Sequence, residues 1–173
     1  AYTAVDKAES DIENADKVNH LALGYLAETA TAYNISLVHI STDYVFDGKN
    51  YKPYTEDDLV SPQGVYGSTK YLGEQALIEI NPLHSIIIRT SWVYSSFGNN
   101  FVKTMLRLGN DKDELGVIYD QVGSPTYAKD LAKAILDILP KLNNTDVEVF
   151  HYSNEGVCSW YDFAKTIFEL SDI

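Results

Sequence analysis

One cysteine, Cys158, in 173 residues leaves no partner for an internal disulfide, so the fold stands without covalent staples and suits a reducing cytoplasm. No apolar run approaches the roughly 20 residues of a membrane-spanning helix, and the N-terminus lacks the layout of a secretory signal, so no membrane partner is expected. Positive charge is scarce: 13 Lys and Arg stand against 25 Asp and Glu, for a formal net charge of −12. That balance argues against nucleic acid or an anionic membrane as the main partner, since both recruit Lys and Arg. It leaves room for a small anionic ligand, which needs only one or two local donors. His20, His39, His84 and His151 are far apart without ligand spacing, so no metal site is expected. Neither a G-x-S-x-G elbow nor a G-x-x-x-x-G-K-[ST] loop occurs, which removes support for hydrolase and P-loop chemistry.

What is present describes an ordinary globular protein, with 45% hydrophobic and 22% charged residues. The chain opens on Ala1 rather than Met and stops at Ile173 directly after an apolar helical pattern, so a piece of a longer protein is expected. Apolar residues from Ile12 to Ala30 recur at helical spacing and predict a helix to Tyr33, closed by Asn34. The runs 36–40, 85–89 and 147–151 predict buried strands. Val117–Tyr119 predicts a further short one. Ser61-Pro62 predicts the start of a helix running to about Ile80, with Ser as cap and Pro at the first position. Helices are also predicted from Asn100 to Leu108, ended by Gly109, from Tyr127 to Leu139, and from Ser159 onward. Strands alternating with amphipathic helices predict an α/β protein built on a mainly parallel sheet.

Tyr66 and Lys70, four residues apart on the predicted helix, share a face. A phenol beside an ammonium is expected to ionise more easily and to exchange a proton, as a carbonyl reduction requires. The pair alone is weak evidence. With 13 tyrosines and 11 lysines, chance supplies about 0.8 such pair, and Tyr161 with Lys165 is a second one. Context separates them. Upstream of Tyr66 a predicted strand ends in Ser41-Thr42-Asp43, where parallel sheets present groups to ligands, and Thr42 is suited to bond the oxygen that Tyr66 protonates. Tyr161 follows its upstream strand too closely for the chain to fold back.

The segments V-H-I-S-T-D-Y-V-F-D-G (38–48), S-P-Q-G-V-Y-G-S-T-K (61–70) and L-G-E after them resemble the extended short-chain dehydrogenase/reductases. R-T-S-W-V-Y (89–94), G-N-N-F-V-K-T-M-L-R-L (98–108) and D-Q-V-G-S-P-T (120–126) resemble the dTDP-4-dehydrorhamnose reductases among them. The fold implied is a partial Rossmann-like, doubly wound parallel sheet with part of a small C-terminal substrate lobe. Residues 1–95 and 127–158 would form mainly the core, and 96–126 and 159–173 mainly the lobe. The activity implied is reduction of the 4-keto group of dTDP-4-dehydro-L-rhamnose to dTDP-L-rhamnose by NADPH or NADH, with the dTDP-sugar as the partner.

By position, the resemblance makes Tyr66 the proton donor, Lys70 the residue that lowers its pKa and holds the nicotinamide ribose, and Thr42 the partner of the reacting oxygen. It sets Ala1, Tyr2 and Thr3 along the cofactor and Asp43 and Trp92 against the sugar. Lys103 and Arg107 would face the diphosphate or simply form an exposed helix face. Asn100 would cap its helix and reach the substrate. The family's glycine-rich phosphate turn is absent from these residues, so weak cofactor binding, little turnover and a tendency to associate are expected of the chain alone. A homodimer is left open. Two other readings remain: another nucleotide-sugar epimerase or dehydratase of the extended family, and a non-catalytic regulatory subunit. Tyr44 stands where dehydratases carry a Glu, which favours simple reduction.

Overall fold

The computed structural model describes residues 1–171, so the last two positions of the expected lobe segment 159–173 lie outside the described residues. The chain divides into two compact units, Ala1–Thr90 with Ile138–His151, and Ser91–Asp137 with Tyr152–Ile173.

The first unit holds a three-stranded parallel sheet in the order β1 (Val38–Thr42), β2 (Ile86–Thr90), β6 (Glu148–His151). Between the first two strands runs α4 (Val65–Ile80), the crossover that two parallel strands require. This is the α/β architecture that the alternating pattern predicts. β2 is buried along its whole length, as its run of three isoleucines demands, whereas β1 forms an edge and is only part-buried at its start. Leu23 and Ala27 of α3 (Ala22–Tyr33) meet Leu77 of α4 and Ile87 of β2 in the core, with Leu37, Ile80, Val147 and Val149 packed around them. Both long helices end on an asparagine in the left-handed conformation, Asn34 and Asn81.

The strands register two residues later, for β1, and one later, for β2, than predicted. Leu37 spends its amide on Ser85 Oγ, and its carbonyl accepts from the Ile86 amide before the ladder proper begins. The predicted single helix from Ile12 is interrupted. α2 (Ile12–Asp16) passes into a π-helical turn, Lys17–Leu21, before α3. That turn carries the buried Asn19, whose side chain accepts from the Tyr2 amide at 2.8 Å and donates to the Tyr2 carbonyl at 3.0 Å.

α4 does not start at Ser61-Pro62. The Ser61 amide donates to the Val45 carbonyl, and Gly64 takes the cap position without a side-chain bond of its own. The free amide of Val65 donates instead to the Glu9 carboxylate at 2.8 Å, a cap delivered from far along the chain.

The second unit contains α5 (Phe101–Asp111), α6 (Ala128–Ile138, whose last residue joins the first unit) and α7 (Trp160–Leu170). It also contains two short pairs, β3 (Val93–Tyr94) with β5 (Thr126–Tyr127), and β4 (Val122–Gly123) with β7 (Cys158–Ser159). Val117–Tyr119 forms no strand; the Ile118 carbonyl accepts from the Tyr161 amide instead, and β4 lies further on. α5 runs through Gly109 to Asp111, since a single helical glycine costs only about 1 kcal/mol. Ser159 caps α7 through a capping box with Asp162.

Two glycines let α4 approach its neighbours. A Cβ at Gly67 would strike the Tyr44 carbonyl oxygen, and one at Gly73 would strike the Asn19 carbonyl oxygen in the π-helical turn. Both obstacles are backbone. Gly73→Ala is expected to cost about 1–3 kcal/mol or more by overpacking, despite Ala's better helix propensity. Urea unfolding of the variant checks it, and unchanged stability would contradict the close approach.

Candidate active site

α4 presents Tyr66, Lys70 and Glu74 one turn apart toward the sheet. Lys70 is only 2% exposed. Its ammonium donates to the Ile40 carbonyl at 2.6 Å and to Nε2 of His39 at 3.0 Å, both on β1. Burial lowers the Lys70 pKa to about 8, with the nearby Glu74 charge working against the fall. Glu74 is fully buried and paired with Arg89 of β2: the guanidinium donates from Nη2 to Oε2 at 2.7 Å and from Nε to both carboxylate oxygens at 3.1 and 3.2 Å. The Phe46 ring lies 5.2 Å from the guanidinium carbon.

Thr42 ends β1. Its hydroxyl donates to Asp43 at 3.1 Å and accepts from the Tyr44 amide at 3.2 Å. The same hydroxyl is near enough to the Tyr66 phenol to favour its ionised form. Tyr44 packs edge-on against the Tyr66 ring at 5.5 Å. Asp43 is held to about 6 by burial, opposed by the Thr42 and backbone hydrogen bonds. The Tyr66 phenol is raised, first by burial and then by the charges of Asp43 and Tyr44, with the Thr42 hydroxyl opposing. The expected lowering of the Tyr66 pKa by Lys70 is therefore not found. The ammonium is directed at β1, and the charge that bears on the phenol most is a carboxylate.

Tyr2 joins this group through Asn19, whose Nδ2 also donates to Thr69 Oγ1 on α4 at 3.3 Å; Ala1 and Thr3 on either side are exposed. Tyr66, Lys70, Thr42, Asp43 and Tyr2 thus all lie in the first unit. Trp92, Asn100, Lys103 and Arg107 lie in the second. Trp92 adopts a φ of 49°, strained for a bulky residue, and stacks on Trp160 at 3.5 Å with Gly123 against its ring. Asn100 caps α5: it accepts from the Lys103 amide at 3.2 Å and donates to the Ser95 carbonyl at 2.7 Å. Lys103 and Arg107 are exposed, and Arg107 sits 4.0 Å from Asp111. Tyr161 and Lys165 are both exposed on α7, unlike Tyr66 and Lys70.

Sequence reasoning missed His39, Glu74, Arg89 and Asn19. Glu74 had a signal, since it continues the four-residue spacing from Tyr66 through Lys70. Among the described residues no cluster of His, Cys, Asp or Glu could hold a metal ion, and no helix is long and apolar enough to cross a membrane.

The parallel sheet brings a threonine, a tyrosine and a buried lysine to one strand's C-terminal end, where α/β proteins present ligand-facing groups. The chain belongs to the RmlD substrate binding domain family, whose model matches residues 1–173. It is 48% identical to the spore coat polysaccharide biosynthesis protein SpsK of Bacillus subtilis over 173 residues, covering 59% of that protein. A solved dTDP-4-dehydrorhamnose reductase of Clostridium acetobutylicum superposes with a TM-score of 0.94 at 47% identity, with 100% of this chain and 60% of that one covered. Another from Bacillus anthracis, solved with NADP, gives 0.91 at 42% identity over 100% of this chain and 60% of that one. The chain thus spans about 60% of the length of the relatives it matches.

Two half-buried groups tie stability to pH with opposite signs. Between 3.8 and about 6 the native state keeps a proton on Asp43 that the unfolded chain has released, so this group's stabilisation fades as pH rises. His39, lowered to about 3 from 6.5 by burial and then by the Lys70 charge, adds stability as pH rises across that interval. Asp43→Asn should therefore match the wild type near about pH 3.5 and exceed it by about 1–3 kcal/mol at about pH 7. Urea unfolding at both pH values checks this.

Proposed function

We propose that this chain carries the proton-donating half of a reductase acting on the 4-keto group of dTDP-4-dehydro-L-rhamnose to give dTDP-L-rhamnose, in nucleotide-sugar biosynthesis. The observation that carries the reading is Thr42 at the end of β1 with Tyr66 and the buried, strand-bound Lys70 one turn apart on the adjoining α4. Its support is the identity of 47% to a reductase of that name, spread over the whole chain.

The reacting end of a nicotinamide fits this donor set: two hydroxyls to serve the carbonyl oxygen and a lysine beside them. The chain has no glycine-rich turn to cradle a diphosphate, so that contact is assigned to none of its residues. Bound NADPH or NADH supplies the hydride to the carbonyl carbon. Tyr66 gives its proton to the oxygen that becomes the sugar's new hydroxyl. A raised pKa keeps that proton on the phenol until the oxygen gains negative charge. Thr42 bonds the same oxygen and orients it. Lys70 holds the nicotinamide ribose, and Ala1, Tyr2 and Thr3 run along the cofactor. Asp43 and Trp92 contact the sugar, Lys103 and Arg107 the diphosphate, and Asn100 the substrate beside its capping role. In this reading 1–95 and 127–158 are the core and 96–126 with 159–173 the lobe, and the protein works in the cytoplasm.

NADPH oxidation with the keto-sugar, followed in the longest available form of the protein, tests the reading. Tyr66→Phe is expected to lower kcat by about 10²–10⁴-fold with little change in KM. Unchanged turnover would remove Tyr66 from the mechanism.

A further inference from the structure

An ammonium with 2% of its residue exposed must find acceptors inside the protein for three N–H groups. Lys70 finds two on one strand, the Ile40 carbonyl at 2.6 Å and His39 Nε2 at 3.0 Å. The carboxylate one turn along α4, Glu74, faces the guanidinium of Arg89 from β2. The carbonyl belongs to the backbone and would be there with any residue at position 40. The imidazole is the acceptor that the sequence chose.

We propose that His39 is a positioning residue for Lys70: its unprotonated Nε2 and the Ile40 carbonyl form a two-acceptor cradle on β1 that holds the ammonium at the strand and sets where its charge lies. The polarity of the contact follows from the donors. A lysine ammonium has no acceptor, so His39 must accept at Nε2 and carry its single proton on Nδ1. Burial and the adjacent ammonium keep the ring neutral, so the acceptor persists at neutral pH. The charged group bearing on the ring from a packed element is Lys70 of α4. With the cradle intact, Lys70 is anchored to the strand that ends in Thr42. Without it, one N–H of a buried charge has lost its partner.

The catalytic consequence rests on the reductase reading, but the geometry does not, and the experiment separates them. Histidine-ring 1H–15N correlation at about pH 6.5 reports the tautomer of His39. Titration of the Lys70 ε-carbon by NMR is run on the wild type, His39→Leu and His39→Gln. The expected results are an Nδ1–H tautomer, a Lys70 titration lowered by about one pH unit in His39→Leu, and its recovery in His39→Gln, which restores an acceptor. An Nε2–H tautomer, or a Lys70 titration that His39→Leu leaves in place, overturns the proposal. If His39→Leu does not fold, the wild-type tautomer and the His39→Gln titration decide. In the keto-sugar assay His39→Gln should stay within several-fold of wild-type kcat while His39→Leu loses about 10-fold with KM unchanged. Absence of turnover in the wild type of the longest available form would count against the reductase reading alone.

Discussion

Everything at this site follows from burying the Lys70 ammonium between α4 and β1. A charge removed from water is tolerable only where fixed acceptors replace the solvent, and here the replacements are a strand carbonyl and an imidazole. The next turn of α4 repeats the problem with Glu74, and the solution is a bidentate guanidinium from the central strand. Such a pair is weak evidence of added stability, because desolvation offsets much of the attraction, but removing either partner would strand a buried charge. Helix and sheet are thereby committed to one relative placement. A slip of α4 by one turn would leave two charges without partners.

That placement needs close backbone approach, and Gly67 and Gly73 supply it at the Tyr44 and Asn19 carbonyls. Asn19 sits in a π-helical turn and clamps both backbone groups of Tyr2, so the same crowded contact also draws the first residues toward α4. π-Helical turns are frequent at functional sites, and this one carries the buried Asn19.

The electrostatics of the first unit's site share one cause. Asp43 and Tyr66 are shifted up, Lys70 and His39 down, and removal from water drives each shift more than any neighbouring charge does. Each group is moved toward its neutral form. For a phenol that must deliver a proton to a carbonyl oxygen, holding the proton in the resting state is as useful as releasing it easily. The Thr42 hydroxyl donates to Asp43, and the carboxylate's charge bears on the phenol nearby.

Residue spacing by itself determined the alternation of strands and helices, the parallel sheet, the end of α4 at Asn81, and the Tyr66–Lys70 stripe with Thr42 upstream. These depend on periods of two and 3.6 and on local cap chemistry, which a linear reading can follow. Only the tertiary structure decided the rest. The start of α4 depends on Glu9, 56 residues before Val65, so local signals at Ser61-Pro62 misled. The direction of the Tyr66 pKa depends on what surrounds the ring, and spacing to Lys70 carries no information about burial or about Asp43. The partners of Lys70 and Glu74 come from β1 and β2, and His39 and Arg89 look like ordinary strand residues until the sheet forms. Contacts between distant segments are set by packing, where a charge must be satisfied by whatever the fold brings within 3 Å.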